Sequence, residues 1–414
     1  MFNNTQAKAG VPAYALATAA ALAPVLAFFE PRWASPLIVA AAVVAFAATL
    51  LRKGRLHLPG RPLVVVLVLL CFWAAVTIIW SLDVWIATRG TLKLTGNLLV
   101  GVVLLSIAKD LDEGEARIVS FGLLGGFLLT LTALTVEVLF GGPISSRLIG
   151  IHPDTALLFG FFWLNSSLAI LALTVWPLSV MFLGKLHGSF AGALFVVMVA
   201  VAFLIEYVTG MAAVAVGLVT AGIVYRGQGG ALRILAGLMV LGLFAAPLLP
   251  AKVFEPAAFS KSDLVPRALV HRMYVWDFTA ARILEKPFHG WGMSASRVIP
   301  EGKEYAVDPR YGTIGDKLPL HPHNFALQAW LELGLPGALL FAAFGALVLL
   351  GIAGSGKGRR VMALQAGHFA AGLFLITFGF GVWQSWGQAS LWLSAAMMVA
   401  ASRARARTDT GEED

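Results

Sequence analysis

One stretch of this chain places groups able to move protons at helical spacing. It is HPHNFALQAWLELGLPG, from His321 to Gly337, and it leads into a long apolar segment. His323 stands at the mouth of that segment, with Pro322 fixing the backbone just ahead of it. An unperturbed imidazole titrates at about 6.5, so it can take a proton from a hydroxyl nucleophile or give one to a leaving group. Asn324, Gln328 and Glu332 follow at intervals of four and therefore stack on one helix face. A polar stripe at membrane depth is costly unless it faces protein or water. Gly334 and Gly337 flank Pro336 and permit close packing or a kink. His321 invites a metal reading, but no third ligand at recognisable spacing joins the pair. Neither a metal nor another cofactor is expected. The plainer alternative is a capping motif with His323 hydrogen-bonded at an interface.

Cations are the second kind of candidate. Arg272, in HRMYVWDF, lies in a segment where positive charge is not needed for topology. A guanidinium fork matches phosphate oxygens two at a time, although a salt bridge to Asp277 or Glu285 would account for it too. Arg147, in SSRLIGIHP, sits where basic residues are otherwise scarce. Arg89 and Lys93 follow WSLDVW and, four apart, share a helix face. They could equally snorkel to lipid headgroups. Three segments with cations and a fourth with histidine suit a lipid-borne pyrophosphate, whose charge grows as a sugar leaves. Trp276, Trp291 and Tyr311 could stack on sugar rings, although interfacial aromatic belts are common.

The elements that must position these residues are membrane helices. Of 414 residues, 59% are hydrophobic and 13% charged, too few charges to cover a water-facing surface of this size. Apolar runs predict helices near 11–29, 34–50, 62–80, 94–108, 118–140, 158–183, 189–203, 210–225, 234–249, 325–352, 361–380 and 384–401, about twelve in all. The loops at 51–61, 109–117, 184–187, 226–233 and 355–360, with Lys8 and the tail carrying Arg403, Arg405 and Arg407, fall on one side. They are rich in Lys and Arg, which marks that side, and both termini, as cytoplasmic. The formal net charge of +8 is explained by these loops, so no nucleic-acid partner is expected. The single cysteine, Cys71, can form neither an intramolecular disulfide nor a thiolate site. The first apolar stretch lacks a cleavage site and reads as a retained helix.

The chain therefore divides into residues 1–250 with nine helices, an external loop at 251–323, a last helical group at 324–402 and a polar tail at 403–414. A loop of that length without a task is uncommon. Within it, 270–284 reads as a helix with Val270, Tyr274, Phe278 and Ala281 on one face, ended by Glu285-Lys286-Pro287. Gly290-Trp291-Gly292 reads as a flexible turn. Residues 308–320 read as an irregular, lid-like stretch, and 324–333 as helix again.

His323-Asn324, nine residues, Gly334, two residues and Gly337 resemble the signature of O-antigen ligases. A looser form occurs in the related O-antigen polymerases and O-linked oligosaccharyltransferases. Arg272 four residues before Trp276, then EKPFHGWG, is similar to the family's large-loop segment, and WSLD at Trp80–Asp83 and RLIG at Arg147–Gly150 fit its style. The resemblance implies an all-α integral membrane protein with about twelve helices and a large periplasmic loop whose helices lie across the membrane surface. It implies metal-free transfer of a glycan from undecaprenyl pyrophosphate to lipid A–core oligosaccharide at the bacterial inner membrane. It carries the family's essential histidine onto His323 and a loop arginine onto Arg272, with Arg147 as a further cation. The family often has a serine–arginine pair where this chain reads TGMAAV, Thr209–Val214, without arginine.

Catalytic roles are accordingly expected at His323 and Arg272, and substrate contacts at Arg147, Arg89, Lys93, Asn324, His321 and Trp276. The partners expected are donor, acceptor and membrane lipids. A polymerase using the same donor is the nearest alternative, and a lipid-linked glycan transporter is the alternative of another class. Transporters tend to show paired broken helices and internal repeats, and the chain displays no such repeat.

Overall fold

A computed structural model describes residues 10–152, 160–183, 188–252, 255–262 and 264–405. The expectations at Lys8, at loop 184–187, at the start of the 158–183 helix and at Arg407 lie outside them. The first five helices are α1 (Val11–Phe29), α2 (Ala34–Lys53), α3 (Arg61–Val76), α4 (Val84–Asp110) and α5 (Glu113–Leu139). After the short α6 (Pro143–Leu148) come α7 (Asn165–Met181), α8 (Gly188–Leu204) and α9 (Val208–Ala245). The large loop holds α10 (Leu248–Lys252), α11 (Pro256–Phe259), α12 (Arg267–Glu285) and the strands β1 (Tyr305–Asp308) and β2 (Gly312–Asp316). The chain then closes with α13 (Phe325–Ala353), α14 (Arg359–Phe378) and α15 (Ser385–Arg405). Among the described residues, nine helices are long and apolar enough to cross a membrane, and α8 is apolar but shorter.

Small residues let these helices approach closely. A Cβ on Gly122 of α5 would lie 2.6 Å from the Ala17 carbonyl oxygen, and Gly126, one turn on, meets the backbone of Ala21. Where lipid removes the hydrophobic drive between helices, such contact supplies the dispersion that holds them. The main core gathers around α1, α5 and α7, with Trp176 and Phe127 fully enclosed.

α9 is 38 residues long but is not one rod. Gln228 breaks it with φ 46° and ψ −133°. The first half ends with Tyr225 beneath the guanidinium of Arg359, at the start of α14, 4.8 Å from ring centre. The second half starts at Gly229, whose Cβ would lie 3.7 Å from Ala353 O at the end of α13, and reaches Leu243, whose carbonyl accepts from Trp330 Nε1 (3.0 Å) near the start of α13. The two halves thus fold back on each other, as the separate runs at 210–225 and 234–249 led one to expect.

The two ends of the bundle differ. At one, Arg52 pairs with Glu115, His57 Nδ1 meets Asp110 at 2.7 Å, Lys53 donates to Asp110 O and Arg403 donates to Leu111 O. At the other lies the large loop. Helix α4 starts ten residues before the expected helix, because Asp83 caps it by accepting from Ile86 N at 2.8 Å. Arg89 and Lys93 are therefore on its first turns, exposed, rather than on a segment leading to it.

Two further expectations need correction. The stretch 308–320 is not an irregular lid. It forms most of an antiparallel hairpin with Tyr305 opposite Asp316, its turn closed by Asp308 Oδ1, which accepts from Arg310 N and Tyr311 N. The hairpin rests on α12: His271 meets Asp316 O at 2.8 Å and Tyr274 donates to Asp308 at 3.2 Å. In consequence α12 turns a different face inward, with Met273, Val275, Thr279, Ala280 and Ile283 buried beside Val270, while Ala281 is exposed.

Candidate active site

The site is built on a broken helix. Gly334 interrupts α13 with φ 61° and ψ −159°, which leaves carbonyls of the preceding turn without helical donors. The segment after α12 supplies them. Trp291 N donates to Leu331 O (2.8 Å), Gly292 N to Glu332 O (3.0 Å), and Leu335 N returns a bond to Pro287 O (3.0 Å). Trp73 Nε1 takes Leu333 O at 2.7 Å. Gly290-Trp291-Gly292 is thus a fixed splice rather than a flexible turn. Trp291 is buried, with Lys286 3.8 Å from its ring centre and its Nε1 on Arg282 O. That corrects its expected role as an exposed sugar platform. Tyr311 is half-buried under Arg310.

Glu332 locks this splice. Its carboxylate is fully buried and accepts from Ser294 N (2.6 Å), Ser296 Oγ (2.6 Å), Gln328 Nε2 (3.1 Å) and Trp383 Nε1 (2.5 Å). The expected polar stripe therefore faces protein. Asn324 is the N-cap of α13, its Oδ1 accepting from Ala326 N and Leu327 N, so that oxygen is engaged in holding the helix. The WSLD segment docks on the same splice: Trp80 meets His289 edge-on at 5.7 Å, and Met293 N donates to Thr77 Oγ1 at 3.0 Å. Three motifs far apart in sequence meet here.

Above the splice lies the turn His321-Pro322-His323. His323 holds φ 48°, a left-handed conformation uncommon for a residue with a Cβ. Two bonds maintain it: His323 N donates to His321 Nδ1 (3.2 Å), and Trp276 Nε1 of α12 donates to Pro322 O (2.9 Å). The imidazoles stand 4.2 Å apart. Burial, then the positive charge of Arg272 and His271, lowers His323 to about 4, and burial with His323, Arg297 and Arg272 lowers His321 to about 3. Both rings are neutral at physiological pH. His323 Nδ1 is enclosed and has no hydrogen-bond partner among the described residues.

Arg272, one turn before Trp276, is half-buried, and burial lowers its pKa. Neither expected salt bridge forms. Glu285 pairs with Arg282 at 2.9 Å, and Arg272 has no ion pair among the described residues. It lines a cavity of about 260 Å³ together with Asn165, Glu206, Thr209, Phe380 and Trp386. The histidines do not line that cavity.

The structure thus brings Arg272, Trp276, His321 and His323 together. It does not join Arg147, Arg89 or Lys93 to them: among the described residues no hydrogen bond, ion pair or ring contact does so. Arg89 is exposed over Trp85, and its neighbour Gly90 packs on Ser294. Arg147 is exposed on α6, whose first turn donates Ile144 N (2.8 Å) and Ser145 N (2.9 Å) to the buried Glu137. Trp163, two residues before the cavity's Asn165, donates to Ser145 Oγ at 3.0 Å. Sequence reasoning missed Glu206, Asn165 and Trp386; the glycine- and aromatic-rich run from Phe378 to Gly387 was the available signal. It also missed His368, enclosed mid-helix against Ser394 at 2.9 Å and apart from the site. Among the described residues no group of three metal-ligating side chains occurs.

Comparison with known proteins bears on the same region. Residues 193–342 match the protein family described as O-antigen ligase. A candidate polysaccharide ligase of Rickettsia conorii is 30% identical over 168 residues, 40% of this chain and 39% of that protein. One of Rickettsia typhi is 28% identical over 249 residues, 58% of this chain and 59% of the relative. The chain spans about half the length of the curated relatives it matches.

Proposed function

We propose that this chain, which is similar to the O-antigen ligase family over residues 193–342, transfers a glycan from undecaprenyl pyrophosphate to lipid A–core oligosaccharide. The reaction takes place at the periplasmic face of the bacterial inner membrane. The chain crosses twelve times, with the basic end and both termini in the cytoplasm. One observation carries the reading: Arg272 is a half-buried cation with no ion pair among the described residues, lining a cavity and close enough to His323 for its charge to lower that ring's pKa.

A guanidinium left unpaired and partly desolvated is costly unless an anion completes it. A diphosphate does so, and the interaction strengthens as the departing group gains charge. His323, neutral at working pH, takes the proton of the acceptor hydroxyl. Electrons of that oxygen form the new glycosidic bond while the bond from sugar carbon to phosphate oxygen breaks, and the pyrophosphate leaves as an anion. No metal is needed. Arg147 meets the diphosphate from α6, Arg89 and Lys93 lie at headgroup level, and Asn324 and His321 flank His323 where the acceptor hydroxyl would approach.

The test is complementation of cells lacking the native protein with His323→Ala or Arg272→Ala, lipopolysaccharide being resolved on a gel. Loss of the O-antigen ladder with accumulated lipid-linked polymer is expected. Core capped by a single repeat would instead mark a polymerase. Covalent product from purified protein, donor and acceptor excludes pure transport. Normal ladders from well-expressed variants reject the roles assigned.

A further inference from the structure

The cavity lined by Arg272 is unlike a plain phosphate site. Glu206, Thr209 and Asn165 line it too, together with the aromatic Phe380 and Trp386. Glu206 sits in the tight reversal between α8 and α9 with φ 61°. That reversal is pinned by Glu206 N on Phe203 O (3.0 Å) and Tyr207 N on Ala202 O (2.8 Å). Tyr207 is buried, and its ring fills the space beside Gly210. The carboxylate is thus presented from a fixed turn, with no ion pair among the described residues. Asn165 Oδ1 is enclosed there and has no hydrogen-bond partner among the described residues, an arrangement that native structures avoid unless a ligand or water completes it.

Consider what could satisfy all of these groups. A phosphate placed against Glu206 would be repelled. A purely apolar ligand would leave Glu206 and Asn165 without donors. A sugar ring offers hydroxyl or amide donors around its edge, matching a carboxylate and an amide oxygen, and C–H faces for an aromatic wall. Phe380 and Trp386 stand 5.0 Å apart, centroid to centroid. The volume of about 260 Å³ is just under the ~300 Å³ at which ligand pockets ordinarily begin. It suits one ring rather than an oligosaccharide. We propose that this cavity is a sugar-ring subsite, with Glu206 and Asn165 accepting from ring substituents and Trp386 against a ring face. The proposal rests on the reading of Arg272 as the diphosphate contact, which puts the ring next to the bond that breaks. Either the donor's first sugar or the acceptor's receiving sugar has this chemistry.

The experiment uses the full chain in lipid nanodiscs and two probes, farnesyl diphosphate and farnesyl diphosphate bearing N-acetylglucosamine. Dissociation constants are measured for wild type, Glu206→Ala, Asn165→Ala and Arg272→Ala. If the subsite holds the donor's sugar, the sugar-bearing probe binds wild type about tenfold more tightly than the bare one. Glu206→Ala and Asn165→Ala then remove that increment and leave the bare probe unchanged. If it holds the acceptor's sugar, those variants instead raise KM for the acceptor oligosaccharide about tenfold while kcat changes less. Glu206→Gln, which keeps an acceptor oxygen, restores part of either effect. A Glu206→Ala protein with wild-type melting, an unchanged increment and an unchanged acceptor KM overturns the proposal. Arg272→Ala weakens both probes alike. If it does not, the diphosphate reading fails while the sugar increment still judges the cavity.

Discussion

Gly290 and Gly334 meet backbone to backbone. A Cβ on Gly290 would lie 2.7 Å from Gly334 N, and one on Gly334 would lie 2.7 Å from Gly290 N and 2.5 Å from Phe288 O. Both residues also hold positive φ, 69° and 61°. Substitution by alanine at either position must therefore strain the backbone and force two main chains apart. Each effect costs roughly 1–3 kcal/mol. Gly334→Ala and Gly290→Ala should lower the melting temperature in detergent and reduce transfer together, whereas Gly125→Ala, at a helix position with open space around it, should do neither.

The buried carboxylate of Glu332 yields a second expectation. Four donors converge on it, two of them from Ser294 and Ser296 in the large loop. Glu332→Gln replaces one accepting oxygen by a donating NH2 group among other donors. Each charge-assisted bond lost is worth about 1.5–3 kcal/mol. The loop around Ser294 should then be cut faster by protease in the folded protein. Cleavage at the wild-type rate would show that the splice is held mainly by the main-chain bonds of Trp291 and Gly292.

Much of this architecture was legible and some was not, for reasons visible in particular residues. Apolar runs mark lipid-crossing helices because the bilayer fixes their length, so α1 and the two halves of α9 agree with expectation. The regular spacing of Asn324, Gln328 and Glu332 showed one helix face but not what that face touches; Ser294, Ser296 and Trp383 come from other segments. Gly290-Trp291-Gly292 reads locally as a loose turn, since its binding partners appear only where Gly334 breaks a distant helix. The hairpin at 305–316 was hidden because its strands are only four and five residues long and do not alternate polar with apolar residues. The cavity was hidden because Asn165, Glu206 and Trp386 stand at three separate helix junctions and share no sequence spacing.

Trp276 should act through His323 rather than on substrate. Its indole N–H holds Pro322 O, and His323 keeps φ 48° in that turn. Trp276→Phe removes one neutral hydrogen bond, worth about 1 kcal/mol, while preserving most of the ring contact with Phe378, whose centroid lies 6.2 Å away. Transfer should fall several-fold in kcat with donor KM little changed. Trp276→His, which retains a ring N–H donor, should recover part of the loss. A rise confined to donor KM would make Trp276 a substrate contact instead.

The pH dependence follows from the neutral histidines. Their folded pKa values, about 4 for His323 and about 3 for His321, lie below the ordinary value of about 6.5. Between these limits the unfolded chain binds more protons, so stability rises with pH there and is lost as pH falls. If His323 is the base of the proposed transfer, it stays unprotonated well below neutrality in the free protein. The acid limb of kcat/KM for transfer should therefore lie near pH 4 and not near 6.5. A limb at 6.5 abolished in His323→Gln would show that the ring is more open to water than its burial indicates.

Arg147 depends on Glu137, a buried carboxylate on α5 that accepts the N–H groups of Ile144 and Ser145 and so holds α6 in place. Glu137→Leu leaves those two donors unmet, at a cost of about 1–3 kcal/mol each where they stay buried, and frees the helix that presents Arg147. If Arg147 meets the diphosphate, Arg147→Ala should raise donor KM about tenfold, and Glu137→Leu should do the same although it leaves the arginine in the chain. Combining the two should add little to donor KM, because both act on one contact. If Glu137→Leu lowers melting temperature but donor KM stays at the wild-type value in both single variants, Arg147 is an interfacial residue and the diphosphate is held from α12.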